Sequence, residues 1–116
     1  MDDLTFAAAV DIAAAIQSKR VSSREVTQHY IDRIERLDKS VNAMCVRIFE
    51  QALQAADRAD QAVARNEAPG PLHGVPMSIK ESYVLEGTPA TWGIPGYRDN
   101  VASADGLAVA RFKTAG

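Results

Sequence analysis

Helix-breaking residues are confined to one part of this chain, and that confinement limits its folds most. All five prolines and five of the seven glycines lie between Pro69 and Gly96, and the first sixty-eight residues contain neither type. Proline lacks a backbone donor and glycine loses most freedom on ordering, so both are kept out of helix interiors and gather in turns. In the breaker-free part, apolar residues recur at three- and four-residue spacing, which predicts helices with brief joints over 5–67. The breaker-rich part predicts strand and loop over 69–100. A chain of 116 residues is one domain at most, burying roughly two-thirds of its unfolded surface. There is no internal repeat or low-complexity tract.

Within the helical half, Thr5 is the expected N-cap of a first helix running to about Ser18, with Phe6, Ala9, Ile12, Ala13 and Ile16 on one face. Ser22 and Glu25 form a capping box, and Val26, Tyr30, Ile34 and Leu37 line the stripe that follows. Asp32 with Arg36 and Glu35 with Lys39 are acid-first pairs four apart, expected on a solvated face. Ala43–Ile48 reads equally as a short buried strand or as an extended lead into the next helix. That helix runs from Phe49 to about Arg65 through Phe49, Ala52, Leu53, Ala56, Ala59 and Val63. A last helix, from about Ala104 to Ala115, is expected with Ser103 as cap and Gly116 after its end.

Composition excludes several classes. Hydrophobic residues make up 47% and charged residues 24%, the balance of a globular chain rather than a disordered one. A net charge of −2, with basic and acidic residues intermingled, leaves no footprint for a phosphate backbone, so direct nucleic-acid binding is not expected. Cys45 is the single cysteine. It permits no internal disulfide, and no Cys/His spacing suits a metal, so a reducing cytoplasm and no cofactor are expected. The apolar stretches are short and alanine-rich, and the first residues are acidic, so neither membrane insertion nor secretion is expected.

The chemistry concentrates in Gly70-Pro71-Leu72-His73-Gly74-Val75-Pro76-Met77-Ser78-Ile79-Lys80-Glu81-Ser82. Glycine and proline stiffen the approach, Met77, Ile79 and Tyr83 favour a strand over Met77–Glu81, and Lys80 stands where that strand ends. With Gly87-Thr88-Pro89-Ala90-Thr91-Trp92-Gly93, with Val21 to Val26 and Asn42-Ala43, and with the Ala52–Asp60 helix upstream, this run resembles the lysine-bearing part of the amidase signature family, hydrolases of carbon–nitrogen amide bonds. The resemblance covers most of this chain and about the first quarter of a family member. It implies an α/β fold in which N-terminal helices (1–68) pack on the start of a mixed β-sheet and the 69–116 segment carries the lysine and a final helix. It also places both family serines beyond Gly116. A strand without sheet partners leaves ladder groups unpaired, so the chain alone is expected to be marginally stable.

Amide hydrolysis needs a base that takes a proton from a hydroxyl nucleophile, and lysine serves only when neutral, from a reference pKa of about 10.4. Burial can depress that value. The resemblance implies a Ser-Ser-Lys triad in which Lys80 works through a bridging serine, held on a cis peptide, to a second serine. Ser78 and Lys80 would share a strand face, so a self-contained dyad is the competing arrangement, although no oxyanion hole follows Ser78. The plain alternative for Lys80 is a guard on an edge strand.

His73 is expected to brace its loop and His29 to be structural or solvated. Glu81 would point away from the lysine face, its role open. Thr91, Trp92 and Gly93 read as a substrate-side wall or as a turn anchored by one buried aromatic. Glu81-Ser82 stands where amidotransferase A subunits usually carry aspartate and asparagine, so the resemblance implies a small-molecule amide substrate ahead of a glutamyl-tRNA amidotransferase role. A non-catalytic helical interaction module is the reading from another class. Self-association into a homo-oligomer is compatible with either.

Overall fold

The helices form where apolar periodicity is sustained. The protein is described by a computed structural model covering residues 4–67 and 70–116. Its helices are α1 (Ala9–Gln17), α2 (Ser23–Leu37), α3 (Phe49–Ala64) and α4 (Leu107–Ala115). The chain divides into two compact units, Met1–Pro76 with Gly116, and Met77–Ala115.

The first unit is built on α1, α2 and α3. Ile12, Ala15, Ile16, Val21 and Val26 form its core, with Leu4, Ala7, Tyr30, Val63 and Val75 packed against them. Thr5 is not the cap of α1. Leu4–Phe6 form a separate 3-10 turn, and the helix starts at Ala9 after Ala8, without a side-chain cap. The Thr5 hydroxyl instead meets His29 Nε2 at 3.1 Å. Phe6 is 85% exposed, and the Arg33 guanidinium lies 5.5 Å from its ring centroid, a cation–π distance.

The N-terminus of α2 has all four of its otherwise orphaned N–H groups satisfied. Ser22 N–H donates to Glu25 Oε2 at 2.8 Å, and Glu25 N–H donates to Ser22 Oγ at 3.0 Å, the expected capping box. The remaining two donate to one carboxylate on α3: Ser23 N–H to Asp60 Oδ1 at 2.7 Å and Arg24 N–H to Asp60 Oδ2 at 3.1 Å. Arg24 adds an ion pair to Asp57 at 2.5 Å. The helix buries Ser23, Val26, Thr27 and Ile31, so its inner face turns away from the expected line through Ile34 and Leu37. Asp32 accepts from Gln28 Nε2 at 2.7 Å, and neither Asp32–Arg36 nor Glu35–Lys39 is among the ion pairs of the described residues.

Between α2 and α3 the chain is an extended lead with bends rather than a strand. Asp38 organises it by accepting from Ala43 N–H (2.7 Å), Met44 N–H (3.2 Å) and Arg47 Nη2 (3.0 Å). The Ala43 N–H leads the groups that hold the Asp38 carboxyl below its ordinary value, against the upward push of burial.

In the second unit no strand is formed among the described residues. The expected strand over Met77–Glu81 is absent: residues 77–80 carry no regular structure, and Glu81–Tyr83 turn into a 3-10 helix. Lys80 does have extended dihedrals, φ −61° and ψ 133°. An extended segment becomes a strand only when a neighbour accepts and donates along its length, and among the described residues this segment has none. Pairing occurs instead between 87–90 and 100–102, with one antiparallel bridge, Pro89 to Val101. Gly87 N–H to Ala102 O (2.9 Å), Ala102 N–H to Thr88 O (3.0 Å) and Ala90 N–H to Asn100 O (3.0 Å) complete it.

Helix α4 starts at Leu107, three residues later than expected, and Ser103 does not cap it. Gly106 N–H is taken by Val84 O at 2.9 Å, and a Cβ at Gly106 would collide with the Tyr83 carbonyl oxygen. The backbone is thus held close against residues 83–84 before it can coil. No helix among the described residues is long and apolar enough to cross a membrane.

Candidate active site

The glycine- and proline-stiffened approach to Lys80 is fixed within the first unit. His73 Nε2 meets Ala59 O at 3.0 Å, the loop brace expected of this histidine. Ser23 Oγ, on a residue 1% exposed, donates to Gly74 O at 2.6 Å. Gly74 has φ +76°, and a Cβ there would stand 3.0 Å from both Ser23 Cβ and Ser23 Oγ. The position therefore needs glycine both for its left-handed backbone and for the closeness of α2.

Lys80 belongs to the second unit. Its carbonyl accepts from Tyr83 N–H at 2.9 Å and so starts the turn that ends the extended run. The Lys80 side chain is exposed, as is Ser78. No hydrogen bond joins Ser78 to Lys80, and Lys80 Nζ is in none of the ion pairs of the described residues.

Glu81 holds the Thr91–Gly93 loop. Its Oε1 accepts the Thr91 N–H in a short hydrogen bond and the Trp92 N–H at 3.2 Å; its Oε2 accepts the Trp92 N–H and the Thr91 hydroxyl, each at 3.1 Å. Partial burial pushes this carboxyl up, but the Trp92 and Thr91 N–H groups with the Thr91 hydroxyl outweigh it and leave the group below its ordinary value. Trp92 is 67% exposed, so a buried aromatic does not anchor this loop. The Glu81 carboxylate anchors it, and no local pattern in the sequence points to donors ten residues away.

Further along, Asp105 accepts from Lys113 Nζ at 2.6 Å and from Glu86 N–H at 2.9 Å, which together hold its carboxyl below the ordinary range. No group of three or more His, Cys, Asp or Glu side chains among the described residues could hold a metal ion. Met77, Tyr83, Trp92, Tyr97, Leu107 and Phe112 are all exposed.

The second unit thus presents a lysine on extended backbone followed by a carboxylate-held loop. The Amidase family profile matches residues 25–116, and the chain belongs to the amidase signature family. It is 40% identical over 108 residues to the indoleacetamide hydrolase of Bradyrhizobium diazoefficiens, covering 93% of this chain and 21% of that protein. It is 39% identical over 114 residues to one of the glutamyl-tRNA(Gln) amidotransferase A subunits, that of Bdellovibrio bacteriovorus, covering 98% and 23%. Among solved structures, a bacterial aryl acylamidase of the amidase signature enzymes superposes with a TM-score of 0.77 at 31% identity, over 84% of this chain and 20% of that one. The chain thus spans between a fifth and a quarter of the curated relatives it matches.

Proposed function

We propose that this chain supplies the lysine-bearing part of an enzyme that hydrolyses carbon–nitrogen bonds in small amides, with Lys80 as general base of a Ser-Ser-Lys triad. The observation that carries the reading is Lys80 itself, exposed on extended backbone within the span that the Amidase family matches. In the completed enzyme neutral Lys80 takes a proton, through the bridging serine, from the serine that attacks the amide carbon. The proton then passes to the departing nitrogen as the C–N bond breaks, and water releases the acyl group. Thr91, Trp92 and Gly93 form the substrate-side wall.

The extended run at Met77–Lys80 is read as the first strand of a mixed sheet whose partners come from further polypeptide, the same polypeptide that covers the exposed apolar side chains and desolvates Lys80. Ser78 has no partner in Lys80, which favours the triad over the self-contained dyad. A cytoplasmic setting fits an exposed free Cys45.

The amidotransferase reading draws on the match to one of the A subunits of that enzyme, close in identity to the hydrolase match. Glu81-Ser82 in place of aspartate and asparagine favours the small-amide reading. The test joins residues 1–116 to the remainder of the Bradyrhizobium relative in place of its matching segment and assays a panel of aryl and aliphatic amides. Turnover that Lys80→Arg abolishes supports the reading, because a guanidinium cannot serve as a base at working pH. Turnover in the separate 116-residue chain, lost in Ser78→Ala, would replace the triad with the dyad.

A further inference from the structure

We propose that Glu81 is a positioning residue of this site, tying the Thr91–Gly93 wall to the turn that carries Lys80. What the wall does for substrate rests on the amidase reading; the tie itself rests on geometry. Lys80 opens the 3-10 turn through its carbonyl, so the backbone of Glu81 is fixed relative to Lys80. The Glu81 side chain then reaches residues ten and eleven positions on and takes three separate donors with two oxygens. Only an ionised carboxylate offers acceptors alone on both atoms; glutamine would turn an NH2 toward N–H groups that need an acceptor.

Trp92 has φ +53°, a left-handed backbone that a bulky side chain adopts only when its surroundings impose it. Its ring is largely exposed, so packing does not impose it; the two bonds from its N–H to Glu81 do. The constraint continues along the loop. The Thr91 hydroxyl donates to Glu81 and accepts from Gly93 N–H at 3.2 Å, and Ile94 N–H donates to Thr91 O at 2.9 Å. One carboxylate thus sets the direction of three consecutive residues of the wall and fixes their register to the lysine turn.

Two measurements decide this. In the 116-residue chain, amide hydrogen exchange resolved by NMR is compared for wild type, Glu81→Gln and Glu81→Asp. The Thr91 and Trp92 amides are expected to be protected and to exchange at least about tenfold faster in Glu81→Gln, with α1–α3 amides unchanged and protection at least partly regained in Glu81→Asp. Unchanged exchange in Glu81→Gln overturns the proposal. If Glu81→Gln also loosens the helices, Glu81→Asp decides, and failure to regain protection there overturns the proposal. In the joined enzyme, Glu81→Gln is expected to raise KM for bulky amides by about tenfold with a smaller change in kcat, the signature of lost binding rather than lost chemistry. Unaltered KM and kcat overturn the positioning role. Turnover indifferent to Lys80→Arg, alongside an intact exchange effect, removes the amidase reading and leaves the tie standing, so the two failures are distinguishable.

Discussion

Replacing Gly74 with alanine tests how the approach to Lys80 is held. The backbone there has φ +76°, where an L side chain costs about 1–2 kcal/mol. The added Cβ would also meet Ser23 Cβ and Oγ at 3.0 Å and Ile16 Cγ2 at 3.4 Å. Ser23 cannot easily give way, because its Oγ donates to Gly74 O, its N–H is held by Asp60 and it is almost fully buried. Overpacking against such a neighbour adds about 1–3 kcal/mol, for an expected loss of about 2–5 kcal/mol. Urea unfolding followed by helical circular dichroism measures it, and a double-mutant cycle separates the terms. In a Ser23→Gly background the same substitution should lose only the backbone cost, leaving a coupling of about 1–3 kcal/mol. A loss below about 0.5 kcal/mol in the native background, or no coupling, would refute the close approach of α2 to this glycine.

Other expectations follow from the same contacts. Ser22→Ala should destabilise by about 1 kcal/mol in urea unfolding, since it removes the acceptor for Glu25 N–H. Ile16→Ala should lose about 2–5 kcal/mol, because the side chain is fully buried in the core cluster and leaves a cavity. Glu25, Asp38, Glu81 and Asp105 all have carboxyls held below their ordinary values. The unfolded chain therefore takes up protons first, so the stability they contribute is complete above the ordinary carboxylate range and is lost as pH falls through the lower folded values. The urea midpoint should accordingly hold steady from neutral pH down to about pH 5 and decline below about pH 4.

What is legible in the sequence is local. The capping box at Ser22 and Glu25 needs partners three residues apart, and the α3 stripe needs only its own periodicity; both appear as expected. Helix α1 starts later than its sequence suggests because Thr5 has an alternative partner in His29, twenty-four residues away. Long-range contacts decide the remainder. Asp60 on α3 closes the first turn of α2, and Glu81 reaches forward to a loop. The Met77–Glu81 segment has strand-forming residues but no neighbouring strand among the described residues, and propensity without a ladder gives extended coil. The family run around Lys80 is legible as residues in order, whereas the exposure of Lys80 among the described residues is not.

The most direct test of the account is the pH dependence of amide turnover in the joined enzyme with Lys80 and with Lys80→Arg. A general base contributes about 10²–10⁴-fold, so Lys80→Arg should remove at least two orders of magnitude of kcat/KM together with the rising limb of the wild-type profile. Full turnover in Lys80→Arg, with the same profile, would contradict the assignment of Lys80 as the base.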